Sequence, residues 1–146
     1  MTSSYPRTHS ATESLPKTST PVPTGFVLGG VRATLRLEGL AVFTAATAAY
    51  ATTHTSWWLY LALFFLPDIS FLAYLLNPRV GAIAYNALHT YIAPVLLAAI
   101  AYFAQAPALG PIALIWAAHI GFDRAAGYGL KYASAFGDTH LGKMGK

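Results

Sequence analysis

Asp68, His89, His119 and Asp123 stand inside runs of aliphatic and aromatic residues, with Asn86 just before His89 and Arg124 directly after Asp123. Ionisable groups within membrane-crossing segments cost about 2.5–3.5 kcal/mol each on insertion scales, so each needs a partner or a task. Two carboxylates and two imidazoles form a legitimate ligand set for zinc, iron or manganese. The i, i+4 spacing of His119 and Asp123 puts both on one helix face, beside Trp116 and Gly127, as in metal sites built into helix bundles. Tyr85, Asn86, His89 and Thr90 share a second stripe. The same groups could instead hold a proton or a small polar solute. They could also be ordinary interhelical glue, worth about 0.6 kcal/mol per contact, with Asp123 or Glu38 on Arg124, Asp68 on a histidine and Asn86 on a carbonyl. Glu38 is the candidate acid/base for a metal enzyme. Asp68, Asn86, His89, His119, Asp123 and Arg124 are the candidate binding residues, and Asp68, His89, His119 and Asp123 the candidate metal ligands.

These residues must be positioned by elements that the composition describes well. The chain has 146 residues, 55% of them apolar and only 10% charged, against about 45–50% and about 25% in a soluble domain. Between Arg79 and Asp123 lie 43 residues without Asp, Glu, Lys or Arg, enough for two crossings of ~20 residues each. Four spans are expected at about 37–54, 57–76, 80–104 and 108–130. Trp57 and Trp58 open the second at headgroup level, and Asn77-Pro78 marks its end. Pro67 should kink the second span just before Asp68. Residues 25–36 read as an interfacial lead-in to a membrane domain over 25–146. Residues 1–24, rich in Ser, Thr and Pro, read as a disordered tail. Tyrosines near span ends (Tyr50, Tyr60, Tyr74, Tyr102, Tyr128) read as an aromatic belt, and His54, His9 and His140 as solvent-facing.

Every Lys and Arg falls on one side of this four-span topology, which the positive-inside rule assigns to the cytoplasm together with both termini. Counting ~1.5 Å per residue from the cytoplasmic ends places Asp68, His89 and Asp123 about 12–15 Å deep and His119 about 18 Å. Glu38 stays near the interface. The net charge of +4 is scattered beside apolar runs, favouring an anionic membrane face over nucleic acid. With no cysteine there is no thiolate metal site. No nucleophile elbow, phosphate-binding glycine loop or H-E-x-x-H motif is present.

Arg36-Leu-Glu-Gly39, Trp57-Trp58, Pro67-Asp68, Pro78-Arg79-Val-Gly81, Tyr85-Asn86, His89-Thr-Tyr91, Ala118-His-Ile-Gly-Phe-Asp-Arg124, Gly127-Tyr-Gly-Leu-Lys-Tyr132 and Thr139-His-Leu-Gly142 resemble the bacterial domain of unknown function 4260 family. The likeness spans about residues 34–142. It implies a small polytopic membrane protein without assigned activity, and attaches the family's polar positions to Glu38, Asp68, Asn86, His89, His119, Asp123, Arg124 and His140.

The sequence is therefore read as an all-α, four-helix transmembrane bundle in the cytoplasmic membrane, with the lipid bilayer as its partner. Its leading functional reading is the binding or conduction of a proton or small polar solute. A membrane-embedded metal-dependent enzyme and a structural or partner-assembling bundle are the alternatives. A divalent metal cofactor and self-association are left open.

Overall fold

The computed structural model describes residues 25–27 and 29–143. The reading of 1–24 as a tail, His9 included, lies outside them. The chain is mostly helical. Helix α1 (Gly29–Ala51) is followed by α2 (Trp57–Phe64), a 3-10 helix (Leu66–Leu75), α3 (Pro78–Leu88), α4 (Ile92–Phe103) and α5 (Leu109–Ala126). Two short strands, β1 (Asp138–Thr139) and β2 (Gly142–Lys143), pair antiparallel at the C-terminal end.

Two rods, Trp57–Leu75 and Pro78–Phe103, are long and apolar enough to cross a membrane, with mean hydropathies of 1.7 and 1.5. Only 17% of each is buried, so these apolar surfaces face outward, unlike a soluble core helix. Each rod is interrupted once, and the interruptions build the site. Ser56 caps α2 by accepting from Trp58 N, and Asn77 caps α3 by accepting from Val80 N, with Pro78 at the first helical position. In the first rod the expected kink at Pro67 is a change of helix type. Asp68 N–H donates to Phe65 O rather than to Phe64 O. Pro67 lacks the N–H that a 3-10 turn would offer Phe64 O, which is left without a helical donor. The second rod breaks at His89–Tyr91, not at its proline. Pro94 falls in the first turn of α4, where its missing N–H costs little.

Helix α1 starts at Gly29, so much of the lead-in is part of the helix. It packs on α5 through glycine. A Cβ on Gly39 would lie 2.5 Å from Arg124 Cβ and 2.8 Å from Gly121 O, and one on Gly121 would lie 2.6 Å from Phe43 N. Such close backbone approach is the usual way helices associate where lipid removes the hydrophobic drive. Ala46, Tyr50, Phe64, Ile115 and Ala118 form a core at the other end of this seam. Tyr50 is thus not a belt residue: it is 1% exposed and donates to Ser56 O. Tyr60 and Tyr74 are half-buried, whereas Tyr102 and Tyr128 remain exposed.

Helix α5 stops at Gly127, whose φ of 97° provides the left-handed cap. Beyond it the chain is folded. Lys131 bridges to Thr139, Leu130 N donates to His140 Nδ1, and Thr139 donates to Gly142 O. His140 is therefore half-buried and bonded, correcting its reading as a solvated tail residue. His54 is exposed, as expected.

Candidate metal centre

Asp68 comes from the 3-10 helix, His89 caps the C-terminus of α3, and His119 and Asp123 occupy successive turns of α5. One donor atom from each lies within 4.8 Å of all the others. His89 Nε2 is 3.5 Å from Asp68 Oδ1, 3.5 Å from Asp123 Oδ2 and 3.1 Å from His119 Nε2. His119 Nε2 is 3.6 Å from Asp68 Oδ1 and 4.0 Å from Asp123 Oδ2. A tetrahedral ion bonded at about 2.0–2.2 Å sets its donors roughly 3.3–3.6 Å apart. These side chains stand close to that spacing.

The surroundings orient the donors. His89 Nδ1 lies 2.9 Å from Tyr85 O, so Nδ1 carries the proton and the Nε2 lone pair points at the cluster. The Tyr85 ring stacks on His89 at 3.7 Å and 14°, and its hydroxyl donates to Asp123 Oδ2 at 2.8 Å. Phe64 packs edge-on against His119 at 5.3 Å. His119 Nδ1 is buried without a hydrogen-bond partner among the described residues. Exposure is uneven: the side chains of His89, His119 and Asp123 are 0%, 2% and 10% exposed, and that of Asp68 is 35% exposed. Asp68 is the outward ligand.

Asn86 and Arg124 hold the frame and stand outside the donor set. The break after α3 removes helical partners from the carbonyls of Leu88 and His89, and α5 supplies replacements. Trp116 Nε1 donates to Leu88 O at 2.7 Å, and Arg124 donates to His89 O at 2.9 Å and to Tyr128 O at 2.8 Å. Asn86 both donates to Lys131 O and accepts from Lys131 N, pinning the segment after α5 to α3. Neither Asp123 nor Glu38 forms an ion pair with Arg124 among the described residues, so that expected pairing is not made. Glu38 is exposed on α1 and lies outside the four-residue cluster. It lines another cavity, with Arg124, Tyr91 and His140.

Sequence reasoning put Tyr85 on the right stripe without a role, and it left Lys131 unassigned. Lys131 is buried, donates to Phe136 O and lies 5.1 Å over the Tyr85 ring and 4.2 Å over that of Phe136. Burial pulls it below the usual lysine range, to about 8. Tyr85 sits one turn before His89, and that spacing was the available signal; the fold-back of Lys131 had none.

Chemically, the arrangement can bind a divalent transition ion through three sheltered donors and one exposed carboxylate. Displacement of Asp68 would open the fourth position to water or to a substrate oxygen. A family model for a domain of unknown function, DUF4260, matches residues 32–144. No curated protein and no solved structure matches the chain.

Proposed function

The chain belongs to the DUF4260 family, and from that premise we propose that it is a multi-pass membrane protein whose Asp68, His89, His119 and Asp123 bind a divalent transition-metal ion of the zinc class. The convergence of four donors from three elements within 4.8 Å carries this reading. It is supported by the tautomer that Tyr85 O imposes on His89 and by the Tyr85 hydroxyl on Asp123. Conserving such outer contacts is how metal sites keep their ligands aimed. In this reading the two apolar rods, α1 and α5 cross the bilayer, both ends of the chain lie in the cytoplasm, and the centre sits in the inner leaflet. The clustering of Arg32 and Arg36 near Gly127 supports a shared basic end. Asp68 is the exchangeable ligand, because it alone of the four is partly exposed and it alone stands on a 3-10 helix. With Asp68 displaced, His89, His119 and Asp123 would hold the ion, which would then supply Lewis-acid activation of a water.

The test is elemental analysis of the full chain purified in detergent. About one zinc, iron or manganese ion per chain is expected, lost in His119→Ala and kept in Glu38→Gln. A wild-type chain that folds but retains no ion after zinc loading would overturn the reading. A second reading has its own observation: the 3.1 Å approach of His119 Nε2 to His89 Nε2 suits a shared proton. It expects no ion and a pH-driven flux in liposomes that Asp68→Asn abolishes.

A further inference from the structure

On the other side of α5 lies a cavity of about 470 Å³ whose polar lining is Glu38, Tyr91, Arg124 and His140. It shares Tyr91 with a second cavity of about 360 Å³, which runs between α4 and α5 past Pro94, Ala98, Ala113 and Gly110. The two adjoin at Tyr91, the first polar around Arg124 and the second apolar toward Gly110. Between those two residues α5 advances about 21 Å, somewhat more than the ~15 Å hydrocarbon depth of one leaflet.

Glu38 and Arg124 line this polar end without forming an ion pair among the described residues. Arg124 is 8% exposed, and among the described residues its side-chain hydrogen bonds go to the carbonyls of His89 and Tyr128. Among the described residues it has no ion pair, and neither has Glu38. The Tyr91 hydroxyl is buried without a hydrogen-bond partner among the described residues. His140 accepts from Leu130 N through Nδ1, which makes Nε2–H its free donor in the neutral ring. Arg36 is engaged by Ala125 O. A buried guanidinium held by carbonyls rather than by a paired carboxylate is costly, and an anionic group brought to it is the natural compensation. The carboxylate on the same rim asks in turn for a cation.

We propose that these adjoining cavities hold one zwitterionic phospholipid bearing a primary ammonium. Its phosphate sits at Arg124, Tyr91 and His140, its ammonium at Glu38, and one acyl chain lies along α4 and α5 toward Gly110. The inference rests on the membrane reading and is independent of the metal. Glu38, expected from sequence to serve as an acid/base, becomes a headgroup-reading residue.

The experiment offers the full chain, stripped of lipid in detergent, equal amounts of dioleoyl phosphatidylethanolamine, phosphatidylglycerol and phosphatidylcholine. Lipid retained per chain is counted by native mass spectrometry. About one phosphatidylethanolamine per chain is expected, favoured over phosphatidylcholine by about tenfold. Glu38→Gln should bring these two lipids within about twofold of each other. Gly110→Leu should weaken all three by about fivefold, because a side chain there meets no protein atom within 4 Å and projects into space the chain would fill. Equal retention of the three lipids by the wild type, phosphatidylglycerol favoured over phosphatidylethanolamine, or an unchanged preference in Glu38→Gln would each overturn the proposal. Metal content, measured on the same samples, should be equal in all variants. Loss of the lipid preference with the ion retained therefore removes the lipid site alone, and the converse removes the metal centre alone. A chain that stays dispersed without detergent overturns the lipid site together with the membrane reading it rests on.

Discussion

The two sides of α5 carry similar residue types in opposite arrangements. On one, His119 and Asp123 meet Asp68 and His89 with donor atoms 3.1–4.8 Å apart. On the other, Arg124 and Glu38 share a cavity without pairing. Both depend on interruptions in neighbouring elements. The 3-10 helix and the break at His89 direct side chains inward at the first, and the same break sends its carbonyl to Arg124 at the second. The difference teaches that polar residues within one apolar segment need not serve one site. Helical phase sends Asp123 and Arg124, adjacent in sequence, about 100° apart, and so into separate chemistry.

The largest effect should come from removing a buried donor. His119→Ala is expected to lower zinc retention by more than about a hundredfold, read by elemental analysis, while leaving lipid preference intact. A loss of both would merge the two sites into one. Next, Tyr85→Phe removes the hydroxyl from Asp123 but keeps the ring on His89. Zinc affinity in a competition titration should fall about 10–100-fold; an unchanged value would reduce Tyr85 to packing.

A third change attacks the seam that both sites share. Gly39→Val places side-chain atoms against Arg124 Cβ and Gly121 O, and should destabilise the fold by about 1–3 kcal/mol. Thermal unfolding in detergent reads this, and a shift confined to lipid binding would show that α1 is not needed for the metal centre. The smallest effect concerns Lys131. Burial lowers its folded pKa from 10.5 to about 8, so the unfolded chain binds more protons between those values, and stability rises with pH across that window. Lys131→Met should flatten the rise. A slope of opposite sign, or one kept in the variant, would break the assignment.

Some of this was legible beforehand. The counts of charge and apolar residues pointed to helices apolar enough to cross a membrane, and two such rods are found; the spacing from span ends put Asp68, His89 and Asp123 at one level, and their side chains meet. The i, i+4 rule paired His119 with Asp123. The Asn77-Pro78 stop signal falls where Asn77 caps α3, a local chemistry that the chain itself displays. Pro67 was expected to disturb its rod, and it does so by changing the helix type. Pro94 was not a break, because position within the first turn decides what a proline costs.

Other features were decided only when distant segments met. The break at His89 survives because Trp116 and Arg124, 28 and 35 residues away, take up the carbonyls it frees. Lys131 and His140 are held in the fold-back because the Asn86 side-chain amide pairs with the Lys131 backbone and Leu130 N–H donates to His140 Nδ1. Glu38 was separated from the cluster by the way α1 lies on α5. The sequence by itself determined which residues are too polar for their surroundings, since hydropathy and helical period are local properties. Tertiary structure alone decided which of them share a site, because that depends on rotation and contact between helices that period and depth leave free.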